Sequence, residues 1–335
     1  MKTLLVVMSE LCNLNCTYCG VDKKSKKKID VELFLNQYRK MRADFPNDKI
    51  KIDFFGGEPL LQFDIVKQII SETEHDPLIQ YFMPTNGLVM TKEMAEYLTE
   101  KNVEISLSFD GLWQDQNRKQ FTNNGTLIKF MLRKDLFRSI PNLRCHTMIT
   151  NGNYNLLENH LFIKKLLGVN TELTLVRDNG IWDEESVAKL KDGIKELFDW
   201  YIDHPEEEMP FFILFYFRHM LMSKLKKERV DNCGAGDSLV TFNEDNNIVP
   251  CNRFKDQPDV IAKIPEYRLM SKCTTCEVRE YCRKGCLYEQ ITNGGPIEEL
   301  CDIYRFTYRQ VGSMVERLES NKTFNALVMK ELENG

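Results

Sequence analysis

The sequence lacks the features that would point to a membrane, to export or to nucleic acid. Its longest bulky apolar run, Phe211–Phe217, is far shorter than the roughly 20 residues that span a bilayer. The apolar run at the N-terminus is too short for a signal peptide, and the acidic Glu10 follows it. The net charge is -5, so no basic excess attracts nucleic acid. We therefore expect a cytoplasmic protein that binds neither membrane nor nucleic acid.

Cysteine, by contrast, is abundant, with eleven among 335 residues. A chain without an export signal stays in a reducing compartment, where thiols rarely pair as disulfides. Three cysteines lie near the N-terminus and seven lie after residue 232, with Cys145 between the two groups. We interpret the two groups as metal ligands and Cys145 as a buried structural thiol.

Residues 1–205 alternate short apolar strands with segments of helical period. The predicted strands are Thr3–Met8, Ile50–Phe55, Ile79–Met83, Val103–Phe109, Arg144–Ile149 and Glu172–Val176. The first predicted helix is capped by Asp30 and has one apolar face, formed by Val31, Phe34, Leu35, Tyr38 and Met41. The other predicted helices are Phe63–Thr73, Thr91–Glu100, Gly125–Phe137, Asn155–Leu167 and Asp183–Asp203. Six strand–helix units predict an α/β fold with a parallel sheet, open or curled into a partial barrel.

Four polar or glycine-rich motifs fall at the ends of the first four predicted strands. They are, in chain order, the first cysteine group, Gly56-Gly57-Glu58-Pro59, Thr85-Asn86-Gly87 and Ser108-Phe109-Asp110-Gly111. In parallel α/β barrels the C-terminal ends of the strands carry the chemistry. We therefore expect these motifs to meet at one rim and to form a single site.

The first cysteine group consists of Cys12, Cys16 and Cys19, in CxxxCxxC spacing. Three thiolates on one short loop can hold an iron–sulfur cube of four irons, and one iron is then open to another ligand. A zinc site or reduced core cysteines are the alternatives. The spacing resembles the signature of radical S-adenosylmethionine (SAM) enzymes, and this resemblance implies that the open iron takes the amino and carboxylate groups of SAM.

The same resemblance implies a SAM pocket at the predicted rim. Gly56-Gly57-Glu58-Pro59 resembles the GGEP motif of that family, whose backbone and glutamate hold the ammonium of SAM. By the same resemblance, Asn86 and Ser108 would hydrogen-bond the ribose or carboxylate of SAM, and Tyr18 would pack near the adenine. Asp110 keeps two interpretations, a catalytic group at the substrate or a cap of the next helix.

The second cysteine group has a strict order, namely Cys233, Cys251, Cys273, Cys276, Cys282, Cys286 and Cys301. Zinc ribbons are the alternative here, but seven cysteines match neither four nor eight ligands. The run CxxCx5CxxxC with outlying cysteines closely resembles the SPASM domain of radical SAM maturases, which carries auxiliary [4Fe–4S] clusters. That domain often has glycine where this chain has Asn246, a residue that tolerates a left-handed turn.

The resemblance assigns the second group to two auxiliary clusters, which makes three [4Fe–4S] clusters in all. Cys273, Cys276, Cys282 and Cys301 would bind the outer cluster. Cys233, Cys251 and Cys286 would bind the inner one, and three thiolates do not fill four irons. We expect an oxygen ligand such as Asp231 or Asp237 to close the fourth position, or the position to be open to substrate.

These assignments predict four segments. Residues 1–205 form a partial (β/α)6 parallel barrel of radical SAM type, 206–232 a bridging helical segment, 233–301 a small Cys-rich SPASM domain, and 302–335 a C-terminal helix. Eleven residues precede Cys12 and thirty-four follow Cys301, so we expect no leader-peptide recognition domain within this sequence. A separate leader-binding partner is then expected if the substrate is a precursor peptide.

The resemblance predicts an enzyme that cleaves SAM reductively and abstracts hydrogen from a peptide or protein side chain, in crosslinking or oxidative maturation. It implies an external one-electron reductant of flavodoxin or ferredoxin type. A small-molecule dehydrogenase or mutase is one alternative. Sulfatase-maturase-like oxidation is another. Those relatives have an aspartate that acts as the base directly after the second SPASM cysteine, whereas this chain has Asn252 there, which does not accept a proton at neutral pH. A non-catalytic iron–sulfur electron carrier is the third, and it would not need a SAM pocket.

Overall fold

A computed structural model of the chain describes residues 1–21, 23, 25–141, 143–177, 180–226, 234–255, 257–264, 273–282 and 285–334. The chain divides into two compact units. Unit 1 comprises Met1–Thr147, Leu166–Val169 and Gly234–Ile261, and unit 2 comprises Met148–Lys165, Asn170–Cys233 and Ala262–Gly335. The division of the chain into the four segments expected from the sequence stays a prediction. None of the described helices combines the length and the apolar character that a membrane span requires.

A mostly parallel sheet forms the centre of unit 1. Its strands are β1 (Lys2–Val7), β3 (Ile50–Phe55), β4 (Ile79–Thr85), β5 (Val103–Ser108), β7 (Leu143–Ile149), β9 (Leu239–Phe242) and β10 (Ile248–Val249). Their order is β10-β9-β1-β3-β4-β5-β7, and β10 alone in this series pairs antiparallel, with β9. Two short strands, β2 (Asn15–Cys16) and β6 (Arg118–Lys119), form a separate antiparallel ribbon. The α/β fold with a parallel sheet is confirmed.

The strand register brings the C-terminal ends of the parallel strands to one edge. Val7 lies opposite Phe55 in the β1–β3 pair, and Thr85 lies opposite Leu107 in the β4–β5 pair. Asp53 pairs with Phe82, which places the ends of β3 and β4 level. The turns after β1, β3, β4 and β5 therefore leave the sheet at the same edge, as the sequence predicts.

The helices of unit 1 are α1 (Val31–Asp44), α2 (Phe63–Thr73), α3 (Lys92–Glu100), α4 (Gln114–Asn117), α5 (Leu127–Leu132), α6 (Lys134–Arg138) and, at its boundary, α10 (Pro258–Ala262). Asp30 caps α1 as predicted, because its carboxylate accepts from the amides of Glu32 and Leu33 at 2.9 and 3.2 Å. The predicted apolar face is buried through Phe34, Leu35, Tyr38 and Met41. Burial of this face against the sheet is the main source of the helix's stability.

One helix prediction in this unit is wrong. The segment Gly125–Phe137 forms the two short helices α5 and α6 rather than one. The break falls at Arg133, whose guanidinium donates to the carbonyl oxygens of Gly87 and Leu88 at 2.7 and 2.6 Å. These hydrogen bonds connect the break between α5 and α6 to the turn after β4. The helical period of the sequence carries no information about such long-range contacts.

The strands β9 and β10, which lie in the Cys-rich region, are not among the strands predicted from the sequence. β9 runs parallel to β1, with Thr3 opposite Leu239, and so covers what would otherwise be an exposed sheet edge. The β9–β10 turn contains Asn246 at φ +60°, which confirms the predicted left-handed geometry. The side chain of Asn246 also accepts a hydrogen bond of 2.7 Å from the amide of Asp30.

Unit 2 consists mainly of helices. They are α7 (Leu156–Leu167, at the boundary), α8 (Glu184–Asp203), α9 (Phe211–Lys226), α11 (Leu287–Thr292), α12 (Glu298–Arg317) and α13 (Lys322–Asn334), with the strand β8 (Thr171–Leu175). The amide of Val176, just past β8, donates to the carbonyl of Ile149 at 2.9 Å. α12 packs on α8 and α9, and ion pairs join Lys191 to Asp302 and Asp199 to Arg317.

The C-terminal helical segment differs from the single helix that was predicted. α12 begins at Glu298, before Cys301, and ends at Arg317, and α13 follows as a second helix. The amide of Phe324 donates to the side chain of Asn321 at 2.9 Å, which caps the new helix. Cys301 therefore lies in the first turn of α12 rather than in a loop before it.

Candidate active site and auxiliary cysteine region

The three cysteines of the N-terminal loop are held by a short ribbon. β2 ends at Cys16, which lies opposite Arg118 of β6, and the amide of Thr17 donates to the carbonyl of Asn117 at 2.9 Å. Leu14 is buried beneath the loop, and its amide lies 3.4 Å from the thiol of Cys12. The loop is thus anchored from below and from one side, while Cys12 and Cys16 are half-buried and Cys19 is exposed.

The donor set of this loop fits an iron–sulfur cube. Burial raises the pKa of Cys12 to about 11, the Leu14 amide opposes that shift, and the nearby Glu58, Cys16 and Cys19 add to it. Such thiols lose their protons to a metal on binding, so the cluster itself supplies the driving force. Among the described side chains, no three of histidine, cysteine, aspartate or glutamate form a group that would hold a single metal ion. A cube spreads its thiolates over separate irons.

The two glycines after β3 lie directly against the backbone that leads into the cysteine loop. A Cβ atom on Gly56 would lie 2.2 Å from the Ser9 carbonyl oxygen, and one on Gly57 would lie 2.2 Å from that of Glu10. The amides of Gly57 and Glu58 donate to the carbonyls of Ser9 and Leu11, both at 2.9 Å. These glycines therefore position the loop, whatever part their backbone also takes in holding SAM.

This contact predicts a large effect of a single methyl group. We expect Gly57→Ala to push the cysteine loop away from the turn, to cost about 1–3 kcal/mol of unfolding free energy and to lower the iron content of the loop. Iron analysis and urea unfolding measure the two effects. Gly20→Ala is the matched control, because a Cβ on Gly20 in the same loop meets no atom within 4 Å. Equal iron content in the two variants would contradict the positioning role.

Glu58 joins the glycine turn to the turn after β4. Its Oε1 accepts from the hydroxyl of Thr85 at 2.6 Å and from the Leu60 amide at 3.0 Å, and its Oε2 accepts from the Asn86 amide at 2.7 Å. Burial raises the pKa of this carboxyl, and the three hydrogen bonds oppose the shift. Pro59 begins a buried 3-10 turn, Pro59–Gln62. The ammonium contact predicted for Glu58 stays a prediction, and Oε2 keeps acceptor capacity for it.

Asn86 connects the β4 turn to the cysteine loop. Its Nδ2 donates to Asn13 Oδ1 at 2.7 Å and lies 4.0 Å from the Cys12 thiol. Ser108 ends β5, the neighbouring strand, and is half-buried at the same rim. The structure thus brings Asn86 and Ser108 to the rim next to the first cysteine group, and their contacts with SAM stay predictions.

Asp110 lies in a buried ionic cluster with Arg118 and Tyr18. The carboxylate is fully buried, and Arg118 Nη2 donates to its Oδ1 at 3.0 Å while Nε lies 3.0 Å from Oδ2. The Tyr18 hydroxyl donates to Oδ2 at 3.1 Å, and the guanidinium carbon of Arg118 lies 5.4 Å from the Tyr18 ring centre. Burial alone would lower the pKa of Arg118, but the Asp110 carboxylate raises it, so the cation persists beside Cys16.

These contacts correct one interpretation of Asp110. The side chain makes no capping hydrogen bond to the described 3-10 turn Gly111–Trp113, so the helix-cap alternative is wrong. Arg118, which sequence reasoning missed, is the partner of this carboxylate. Its role depends on the two-residue pairing of β2 with β6, and no periodicity in the sequence indicates such a short ribbon.

Five cysteines of the second group line one cavity in unit 2. They are Cys273, Cys276, Cys282, Cys286 and Cys301. Burial raises the pKa of Cys301 to about 12, and the nearby Glu298, Cys282 and Cys273 add to the shift. Thiols within electrostatic reach of one another around a cavity are a donor set that fits an iron–sulfur cluster.

Cys251 is not among the described residues that line this cavity. Cys251 lies in unit 1, where its thiol accepts from the amide of Arg253 at 3.4 Å at the start of the 3-10 turn Asn252–Phe254. Cys233 and Asp231 lie outside the described residues. The inner-cluster assignment therefore stays a prediction. Cys145 is fully buried in β7 and its thiol donates to the Phe109 carbonyl, which confirms it as a buried structural thiol.

Comparison with known proteins now defines the class. Residues 6–138, which include the cysteine loop and the three motif-bearing turns, match the family model of the Radical SAM superfamily. This part of the chain is a radical SAM domain, and its fold implies SAM and one [4Fe–4S] cluster as cofactors. The cysteines of the C-terminal part agree with a SPASM domain.

Two solved structures share the fold over most of the chain. The first is native anSMEcpe with bound AdoMet and Cp18Cys peptide, at a TM-score of 0.75 and 19% identity, over 95% of this chain and 99% of that one. The second is SuiB of Streptococcus suis bound to precursor peptide SuiA, at a TM-score of 0.57 and 18% identity, over 88% of this chain and 74% of that one. At these identities the likeness shows the fold.

Curated relatives are similar over shorter segments. An uncharacterized protein of Methanocaldococcus jannaschii is 30% identical over 175 residues, which are 50% of this chain and 59% of that protein. The radical SAM cyclopropyl synthase TigE of Paramaledivibacter caminithermalis is 30% identical over 144 residues, 37% of this chain and 30% of that protein. The chain thus spans less than two thirds of the length of either relative.

Proposed function

We propose that this protein cleaves SAM reductively to a 5′-deoxyadenosyl radical and abstracts hydrogen from a peptide or protein side chain, in crosslinking or oxidative maturation. The observation that carries the proposal is the hydrogen-bonded rim of unit 1. There Gly57, Glu58 and Asn86 all contact the loop that bears Cys12, Cys16 and Cys19. A three-thiolate loop leaves one ligand position for SAM, and an electron carrier has no need of such a pocket.

A [4Fe–4S] cluster on this loop would supply one electron to the sulfonium of SAM. The residues of the chain would bind the cluster and orient SAM. Cys12, Cys16 and Cys19 would hold the cluster at the rim. The Gly56–Pro59 turn, Asn86 and Ser108 would orient SAM against it. In this proposal Asp110 is a positioning residue, because Arg118 and Tyr18 occupy its carboxylate oxygens and hold it beside Cys16.

A peptide or protein substrate is supported by the fold comparison. Both of these solved structures contain a bound peptide, Cp18Cys in anSMEcpe and SuiA in SuiB. A small-molecule dehydrogenase or mutase is the alternative in which the same radical acts on a free metabolite. We further propose an external reductant of flavodoxin or ferredoxin type, and a separate leader-binding partner if the substrate is a precursor peptide.

Sulfatase-maturase-like oxidation is a second candidate because anSMEcpe shares the fold. Against it, Asn252 follows Cys251, and a neutral amide does not accept a proton as an aspartate base would. The Cys251 thiol lies 3.7 Å from the side-chain oxygen of Asn252. Incubation with a sulfatase-derived cysteine or serine peptide separates the two proposals, since only the second predicts its oxidation.

The experiment that tests the main proposal is anaerobic. The reconstituted protein is reduced in the presence of SAM, and 5′-deoxyadenosine is measured by mass spectrometry. We expect its formation above the protein-free level, and we expect deuterium in it when a deuterated peptide substrate is supplied. Stable clusters without any 5′-deoxyadenosine would support the electron-carrier alternative and contradict the proposal.

The cysteine arrangement also predicts the iron content. We propose three [4Fe–4S] clusters, so about twelve irons per reconstituted chain, and about eight once Cys12, Cys16 and Cys19 are replaced by alanine. Iron and acid-labile sulfide analysis measure both values. A wild-type value near four irons would contradict the auxiliary clusters while leaving the loop cluster intact.

The inner auxiliary cluster has its own test. We propose that Cys233, Cys251 and Cys286 bind it and that its fourth iron has an oxygen ligand, Asp231 or Asp237, or is open to a substrate thiolate. Asp237 is exposed at the turn before β9. An Asp237→Ala change that alters the Mössbauer signal of one iron would support the oxygen ligand, and an unchanged signal leaves Asp231 or the open position.

A further inference from the structure

The cavity lined by five cysteines also contains two polar groups whose buried atoms have no described partner. Arg177 follows β8 and Tyr304 lies on α12, and both line the cavity. The Nε atom of Arg177 and the hydroxyl of Tyr304 are buried and have no hydrogen-bond partner among the described residues. A buried donor without a partner costs free energy, so such donors indicate a ligand group that accepts from them.

Tyr304 is placed near two cysteines of the cavity. Tyr304 is three residues after Cys301 on the same helix, which puts the two side chains on one face. Burial raises the pKa of Tyr304, and its hydroxyl lies within electrostatic reach of the thiols of Cys282 and Cys301. A phenol hydroxyl is protonated at neutral pH and carries one hydrogen that it can donate.

Arg177 supplies the positive charge of the cavity wall. Its guanidinium stays charged even when buried, because arginine is not deprotonated in proteins. The Glu289 carboxylate is itself buried and balances part of this charge. A second arginine, Arg279, lines the same cavity but is exposed to solvent, and it donates to the Thr274 carbonyl at 2.6 Å. Solvent screens the charge of Arg279 and leaves that of Arg177.

We propose that Arg177 and Tyr304 set the reduction potential of the outer auxiliary cluster by donating hydrogen bonds to its sulfur atoms. This inference rests on the proposed binding of that cluster by Cys273, Cys276, Cys282 and Cys301. A cube held by four thiolates is anionic, and it gains a further negative charge on reduction. A buried cation and hydrogen bonds to sulfur favour the reduced form and so raise the potential. Arg177 would then act through the cluster, by favouring its reduced form, and would not contact the substrate.

The inference is tested on the protein in which Cys12, Cys16 and Cys19 are alanine, so that the auxiliary clusters alone remain. Midpoint potentials are measured by EPR-monitored redox titration, and the signal that Cys273→Ala removes identifies the outer cluster. We expect Arg177→Gln to lower its potential, Arg177→Lys to lower it less because the charge is kept, and Tyr304→Phe to lower it modestly. Arg279→Gln is the matched control and should leave the potential unchanged.

The outcomes separate this inference from the function on which it rests. No iron in the starting variant would overturn both. Full iron content with the same potential in Arg177→Gln and Arg279→Gln would overturn the role of Arg177 and leave the cluster assignment in place. If Arg177→Gln does not take up the cluster, Tyr304→Phe and Arg177→Lys decide, since a lower potential in them supports the inference and an unchanged one overturns it.

Discussion

Replacing Cys12, Cys16 and Cys19 together by alanine is expected to reduce 5′-deoxyadenosine formation to the level of a protein-free control. In our proposal these three thiols are the ligands of the loop cluster, and no other described thiol of unit 1 lies on that loop. Without the cluster, no electron would reach the sulfonium of SAM. Mass spectrometry of reduced, SAM-containing samples measures the loss.

The control for this triple variant is Cys145→Ser. Cys145 is fully buried in β7 and its thiol donates to the Phe109 carbonyl at 3.4 Å, a hydrogen bond that serine retains. We expect this variant to keep wild-type iron content and SAM cleavage. SAM cleavage by the triple variant at the rate of Cys145→Ser would show that the loop does not carry the chemistry.

Arg118→Met is expected to have the second-largest effect, on stability and on the loop cluster together. It leaves the Asp110 carboxylate buried without its cation, which costs roughly 3–5 kcal/mol of unfolding free energy. It also removes the side chain that Cys16 faces across the β2–β6 ribbon. Urea unfolding of the cluster-free protein measures the first effect, and iron content after reconstitution measures the second.

A double variant separates charge from packing in this prediction. Asp110→Asn alone leaves the Arg118 cation without its partner, whereas Arg118→Met with Asp110→Asn removes both charges. We expect the double variant to lose less stability than the sum of the two single losses. Tyr18→Phe removes one hydrogen bond to Asp110 and should cost about 1 kcal/mol. Additive losses would mean that the ionic cluster is not the source of the effect.

The sequence predicted the sheet of unit 1 and its rim because each relevant signal is local. Ile50–Phe55 and Phe63–Thr73 have the predicted bounds, since a buried strand followed by a periodic helix is visible within a few residues. The cysteine loop and the Gly56–Pro59 turn lie where expected because both follow strands that pair in register. Structural features that depend on residues close together in the chain can thus be predicted from the sequence.

The features that the sequence did not indicate all depend on distant pairs of residues. β9 becomes a strand by pairing with β1, more than two hundred residues away in the chain. Arg118 becomes part of the site through its pairing with Cys16 and its contact with Asp110. The close approach of Gly57 to Glu10 likewise gives the glycines a role in positioning the loop that the motif alone does not reveal.

The auxiliary region shows the same limit on sequence reasoning. The spacing of Cys273, Cys276 and Cys282 indicated a common site, and these cysteines do line one cavity. The spacing did not indicate Arg177, which comes from the end of β8, nearly a hundred residues earlier. Charges that face a metal site from a separate element have no signature in the ligand motif.

The central claim is that the cluster on the N-terminal loop leaves one iron for SAM. The most direct test is ENDOR spectroscopy of the reduced protein with SAM carrying 15N in the amino group and 17O in the carboxylate, with the Cys12, Cys16 and Cys19 alanine variant as the reference. Our account predicts 15N and 17O hyperfine coupling in the wild-type protein and none in the variant. A reduced loop cluster whose spectrum shows neither coupling at saturating SAM would contradict it.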